Sequence, residues 1–275
     1  MEKVNAAGSS SSGGSLKSIF SSLVIVIALA VSFVLYYFVL GAPSHFEGND
    51  PANHPKPGDY LGIVYKGGII VPVLIAIFLI IITFSIERIV TISKAKGKGN
   101  LAAFVTKLQG LIKTDRVNEA IAACNQQQGS LANVMRAGLL KFDELDKDQT
   151  LEKDEKVLVI QREFEEATAL ELPMLSKNLV IISTLASIAT LVGLIGTVLG
   201  MIKAFSALAQ AGSPDTIALS NGISEALINT ALGISGSAVA IIMYNFFSSQ
   251  IDALTYKIDE AGFSLIQTFA AKHKK

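Results

Sequence analysis

Two long stretches of this chain carry no charge. One lies between Lys177 and Lys203, the other between Glu225 and Asp252. Each is about 25 residues long, more than the roughly 20 a helix needs to cross the hydrocarbon core of a bilayer. Neither is apolar all round. The first carries Ala186, Thr190, Gly193, Thr197, Gly200 and Ala204; the second carries Ala226, Thr230, Gly233, Ser237, Ala240 and Tyr244. Steps of three and four put each set on one helix face. The pattern predicts a hairpin of two spans, each with a small, hydroxyl-bearing stripe on an otherwise Leu/Ile/Val surface.

Composition supports a membrane protein throughout: 51% of residues are hydrophobic, and they fall in charge-free blocks. The balanced charge gives no basic patch for nucleic acid. Cys124 is the only cysteine, which excludes an internal disulfide. The fold class expected is all-α: a polytopic helical membrane protein whose long helices extend into the cytoplasm. No segment of useful length has a strand period.

In chain order, residues 1–18 are Ser/Gly-rich and are expected to form a flexible tail. Residues 19–40 form a first apolar run, longer than a signal-peptide core and so read as an uncleaved span. Residues 41–66 hold Pro43, Pro51, Pro55 and Pro57 and predict an irregular extracytoplasmic loop, with His45 and His54 solvated rather than metal-binding. Residues 67–92 form the second span. It ends at Glu87-Arg88, followed by Lys94, Lys96 and Lys98, which mark the cytoplasmic side. Glu87 and Arg88 are adjacent and are expected not to face one another. They read as a cytoplasmic interface that snorkels, anchors the span or pairs with neighbouring helices.

Residues 93–178 form a helical cytoplasmic region, broken near Gly129-Ser130, with the acidic run 143–155 as a solvated face or connection. Its last helix is expected to kink at Pro173 and continue into the third span, 179–205. A turn over 206–222, built on Gly212, Ser213, Pro214 and Asp215, leads to the fourth span, 223–248. Residues 249–275 form an amphipathic cytoplasmic helix with a basic end. Both termini are then cytoplasmic.

Enzyme signatures are missing: the sequence has no GxxxxGK, HExxH, CxxC or GxSxG. Nothing calls for a cofactor or a metal, and the expectation is a protein that is not an enzyme. Gly193, Gly196, Gly200 and Gly233 suit close helix packing in lipid. Thr190, Thr197, Thr230 and Ser237 share their faces, and such a stripe can line a narrow path or seat a polar partner helix. A proton relay also needs a titratable group within the membrane, and no span offers one near its centre. Glu225 and Lys203 lie near the outer ends of their spans. If ions flow, the central carboxylate comes from another chain. Glu225 reads either as a mouth or relay group of the path, with Thr197, Thr230, Ser237 and Thr190, or as a simple interfacial charge.

Leu191-Val-Gly-Leu-Ile-Gly-Thr-Val-Leu-Gly-Met201, Gly222-Ile-Ser-Glu-Ala-Leu-Ile-Asn-Thr-Ala-Leu-Gly233 and Tyr244-Asn245 resemble motifs of the MotA/TolQ/ExbB proton channel family, its ExbB branch most. Glu87-Arg88 fits as well. The resemblance implies a homopentamer in the lipid of a bacterial inner membrane, around ExbD-like single-span helices whose aspartate carries the proton. It also implies a TonB-like protein driven by the complex, with Thr197 and Thr230 facing the pore and Glu225 as the family's glutamate. The alternatives are a TolQ- or MotA-like stator for envelope division or motility, and a passive scaffold without ion flow. Two departures stand out: Val239 replaces a frequent proline, and span 19–40 has no counterpart in the three-span ExbB pattern.

Overall fold

The computed structural model describes residues 12–148, 150–209 and 215–272, with side chains from Ser22 onward. Its helices are α1 (Ser12–Val34), α2 (Tyr60–Tyr65), α3 (Ile70–Ala95), α4 (Leu101–Lys113), α5 (Val117–Gln127), α6 (Gly129–Lys147), α7 (Lys153–Ser176), α8 (Leu179–Leu208) and α9 (Thr216–Lys272). Among the described residues no strand forms; the one isolated bridge joins Phe46 and Pro55. Four helical stretches are long and apolar enough to cross a membrane, within α1 and its extension, α3, α7–α8 and α9. The protein is an all-α polytopic membrane protein. The chain divides into two compact units.

The first unit comprises Met1–Phe84 and Ile182–Ile241. Helix α1 begins at Ser12, inside the stretch expected to be a tail, and a π-helical turn, Leu35–Leu40, extends it. Ala28, Ser32, Tyr36 and Leu40 recur every fourth residue and are buried, whereas Val26, Val34 and Phe38 are exposed. This is the stripe that a helix presents when one face packs and the rest meets lipid. Tyr36 and Leu40 close on Val71 of α3, with Tyr65, Ile75 and Leu232 around them. Pro72 sits in the first turn of α3, where its missing N–H costs nothing.

Residues 41–66 are folded, contrary to the irregular loop expected from their prolines. Two 3₁₀ turns, Pro43–His45 and Glu47–Asn49, precede α2, whose first turn Asp59 caps through the amides of Leu61 and Gly62. Phe46 is wholly buried. It packs edge-on to Tyr65, which stacks on Tyr36 at 4.7 Å, and the Tyr36 hydroxyl donates to the Tyr65 carbonyl. His45 is not simply solvated: its Nδ1 lies 2.7 Å from Asp59 Oδ2. That hydrogen bond holds the Asp59 carboxyl below the usual carboxylate range. Lys66 bridges the Pro51 and Ala52 carbonyls, and burial pushes its ammonium below the usual lysine range. Backbone pairing within a short loop is what periodicity cannot show.

The second unit comprises Ser85–Ile181 and Ile242–Lys275. Helix α6 packs on both α5 and α7. Its core holds Leu108, Leu131, Met135, Leu139, Phe142, Ile160, Leu254, Ile258, Leu265 and Phe269, with Phe142 and Phe269 in edge contact at 4.8 Å. The chain reverses between α5 and α6 at Gln128 and Gly129, both at positive φ, beside the break expected at Gly129-Ser130. Within the acidic run, Glu152 and Glu155 form a reciprocal capping box that starts α7. Helix α7 runs through Pro173 and stops at Ser176. Only Lys177 and Asn178 separate it from α8, and Lys177 keeps right-handed helical angles. The interruption therefore falls after the proline rather than at it. The span 223–248 and the helix 249–275, expected as separate elements, are one helix, α9. Asp215 caps its start; Gly212, Ser213 and Pro214 of the expected turn, and Lys274 and Lys275 of the basic end, lie outside the described residues.

Cys124 lies in this core, 1% exposed, and burial pushes its thiol up to about 12. The thiolate is the reactive form. Folded protein at pH 8 is expected to label with a maleimide at least about a hundredfold more slowly than denatured protein. Equal rates by mass spectrometry would show this core to be open.

Candidate functional site

In the first unit α8 and α9 cross at very short range, because their facing residues have no side chain to separate them. A Cβ placed on Gly193 would stand 2.9 Å from the Asn229 carbonyl oxygen and 3.0 Å from the Gly233 Cα. One on Gly233 would stand 2.7 Å from the Ala189 carbonyl, and one on Gly200 2.7 Å from the Gly222 carbonyl and the Ala226 amide. Gly196 lies under the Asn229 side chain. All four glycines are positions where backbone or a polar side chain fills the place of a Cβ.

Thr197 and Thr230 meet at this crossing, each hydroxyl within hydrogen-bonding reach of the other. Each also lies within reach of a carbonyl of its own helix, Thr197 of Gly193 at 3.2 Å and Thr230 of Ala226 at 3.1 Å; with one proton on each hydroxyl, at most two of these three contacts are donated at once. Both are half-buried. Thr197 reaches an open groove of about 580 Å³ along α8, with Val198, Met201, Ile202, Phe205 and Ser206. The pair therefore sits in the helix crossing with both members partly exposed, Thr197 towards this groove. Thr190, further along the same face, bonds the Ala186 carbonyl at 3.5 Å; Ser237 is half-buried.

Glu225 does not share the threonine face. It follows the other register of α9, with Asn229 one turn on. Its carboxylate is clamped by the Lys203 ammonium, at 2.7 and 2.8 Å to the two oxygens. Behind it is the Gly67-Gly68 turn: a Cβ on Gly68, which has φ +75°, would stand 2.5 Å from Glu225 Oε1. Asn229 is fully buried and donates to the Gly67 carbonyl at 2.8 Å; its own Oδ1 has no partner among the described residues. The sequence reading missed Asn229, the Gly67-Gly68 turn and the pairing of Lys203. One signal was available: Glu225 and Asn229 are four apart, a face of their own.

Glu87 and Arg88 belong to the second unit, and there the expectation fails. The adjacent side chains do pair: Arg88 Nε donates to Glu87 Oε2 at 2.7 Å and Nη2 to Oε1 at 2.5 Å. Arg88 Nη1 donates to the Leu175 carbonyl at 2.8 Å, and Asn178 and Thr91 donate to Glu87. The last carbonyls of α7 lack helical partners where the helix stops, and they draw the guanidinium in. Arg88 is 2% exposed, so its charge needs a carboxylate beside it, and two long side chains can curl together where short ones cannot. Expected neighbours at the adjoining helix are found as well. Among the described residues no group of three His, Cys, Asp or Glu side chains could hold a metal.

A polytopic helical membrane protein whose last two spans cross through glycines around paired hydroxyls is the class that fold and site define. Residues 126–260 match the model of the MotA/TolQ/ExbB proton channel family. Over that stretch, just under half of its length, the chain is similar to the family. It is similar to the Tol-Pal system protein TolQ of Pseudomonas aeruginosa, 28% identical over 157 residues, which are 57% of this chain and 68% of the relative. It is similar also to the biopolymer transport protein ExbB of Pseudomonas putida, 28% identical over 192 residues, 68% of this chain and 58% of the relative. With ExbB of Salmonella typhimurium the identity is 37% over 70 residues, 26% of this chain and 29% of the relative.

Proposed function

We propose that this chain is an ExbB-like subunit of an inner-membrane motor driven by the proton-motive force, which energises TonB-dependent transport across the outer membrane. It works with a single-span, ExbD-like partner carrying an aspartate, and its copies form a homopentamer around that partner, with both termini in the cytoplasm. The observation that carries the reading is the hydroxyl pair of Thr197 and Thr230 in a hairpin with no carboxylate near mid-span. Hydroxyls can hydrate or relay along a path but cannot take up a proton and release it; an acid from a partner helix completes the set. Thr190 and Ser237 extend that lining, and the four glycines hold it narrow. A TolQ-like role in the cell envelope is the second reading, favoured by the alignment to TolQ over 68% of that relative.

The test is to purify the chain with what copurifies, reconstitute the complex in liposomes and follow proton uptake under an imposed potential. The partner is expected to have one span holding an aspartate, and uptake is expected only when it is present. Thr197→Val with Thr230→Val is expected to reduce uptake to the level of empty liposomes while the complex elutes intact. Normal uptake by the double variant would sink the path reading. No uptake with an aspartate-bearing partner present would favour a passive scaffold. A TonB-like or a peptidoglycan-binding protein in the same complex separates the two outputs.

A further inference from the structure

Glu225 and Lys203 are held in very different ways. The carboxylate side chain is 10% exposed and the ammonium side chain 57%. Around Glu225 the backbone is closely packed on two sides. Gly222 lies against Gly200 and Ala204, the Gly67-Gly68 turn forms a back wall with no room for a Cβ, and Asn229 ties that turn to α9. Lys203 stands on a flexible four-carbon stem in the open. Besides Lys203, the Tyr36 hydroxyl, which donates to the Tyr65 carbonyl, is the titratable group that feels the charge of Glu225.

We infer that Lys203 is a displaceable counter-ion for Glu225, a lid of positive charge that closes the carboxylate to a transiting cation until it swings away. The inference deepens the ion-flow reading and rests on it for its role, but the pairing itself is testable without flow. While the ammonium is in place, both carboxylate oxygens are engaged, and a second cation meets a like charge. Once it leaves, a buried carboxylate with a wall of backbone behind it has no counter-charge and takes up a proton or another cation instead. Lys203 is thus a positioning residue: it governs when Glu225 is available and does not itself carry the ion.

The experiment labels the full-length protein in membranes with a hydrophobic carbodiimide, which reacts with protonated carboxyls, and reads modification of Glu225 by mass spectrometry at pH 7. Native protein and Lys203→Arg are expected to label slowly and alike. Lys203→Met is expected to label Glu225 about tenfold faster or more, because the lost counter-charge favours the protonated acid. Equal rates for native protein and Lys203→Met would overturn the inference, as would an Arg variant as fast as the Met variant, since the effect would then be one of space and not of charge. Should Lys203→Met fail to assemble, Lys203→Gln, which keeps most of the stem, is read in the same way. In liposomes carrying the partner, Lys203→Met is expected to change the pH profile of proton uptake, and to leave it unchanged in a Glu225→Gln background. Faster labelling with no uptake by any form would uphold the pairing and sink the motor reading; unchanged labelling with normal uptake would do the reverse.

Discussion

Arg88→Met is expected to lower the second unit's stability by about 2–3 kcal/mol, less than the ~3–5 kcal/mol of a fully buried ion pair because the Glu87 side chain left behind is 27% exposed. Three losses act together. The Leu175 carbonyl, now 2.8 Å from the guanidinium, is left unmet at the end of α7. Glu87 keeps only Asn178 and Thr91 as donors. The methionine fills the space of the stem but none of the hydrogen bonds. Lysine does not rescue this position fully, because a point charge cannot fork to both Glu87 oxygens and reach a carbonyl besides. Arg88→Lys is therefore expected to fall between the two. Thermal unfolding in detergent, followed by helix signal, checks the order native, Lys, Met. A methionine variant as stable as the native protein would mean that the cluster contributes nothing to holding α7 in place.

The second large effect is expected at the α8–α9 crossing. Gly193→Ala puts a methyl where the Asn229 carbonyl oxygen and the Gly233 Cα stand at 2.9 and 3.0 Å. Both are backbone atoms and cannot swing aside, so the helices must separate. Overpacking of this kind costs about 1–3 kcal/mol, and Gly193→Leu is expected to prevent the hairpin from closing. Separation also breaks the Thr197–Thr230 contact one turn away, so uptake should fall along with stability. Gly110 is the control. It is a helical glycine of α4 with open space, nothing within 4 Å, where a Cβ would stand. Gly110→Ala is expected to stabilise by about 0.5–1 kcal/mol through helix propensity alone. If both alanines behaved alike in thermal unfolding, close helix approach would not be what Gly193 provides.

These outcomes separate what local pattern reveals from what it hides. The charge-free blocks and the stripe from Ala186 to Ala204 were legible because lipid and helix period act residue by residue. Thr197 and Thr230 were legible as members of matching stripes. Lys203 with Glu225 was not, because their pairing depends on how two helices cross, and each alone reads as a charge at the end of a span. Arg88 was misjudged for the same reason. Adjacency in sequence suggested separation, but the carbonyls of Met174 and Leu175, 86 and 87 residues away, determine where the guanidinium points. The loop was misjudged for another reason: its prolines exclude regular helix, while the buried Phe46 ring, around which it folds, leaves no periodic trace.

That loop has a consequence for the first span. Tyr36 stacks on Tyr65, Phe46 meets Tyr65 edge-on, and Lys66 lies over the Phe46 ring at 5.5 Å, so that these side chains form one cluster. The C-terminal end of α1 is thereby fastened to the segment that leads into α3, with little chain freedom left between them. A molecule approaching from that side meets a surface already set in shape, and so has almost no ordering entropy to overcome before it can bind.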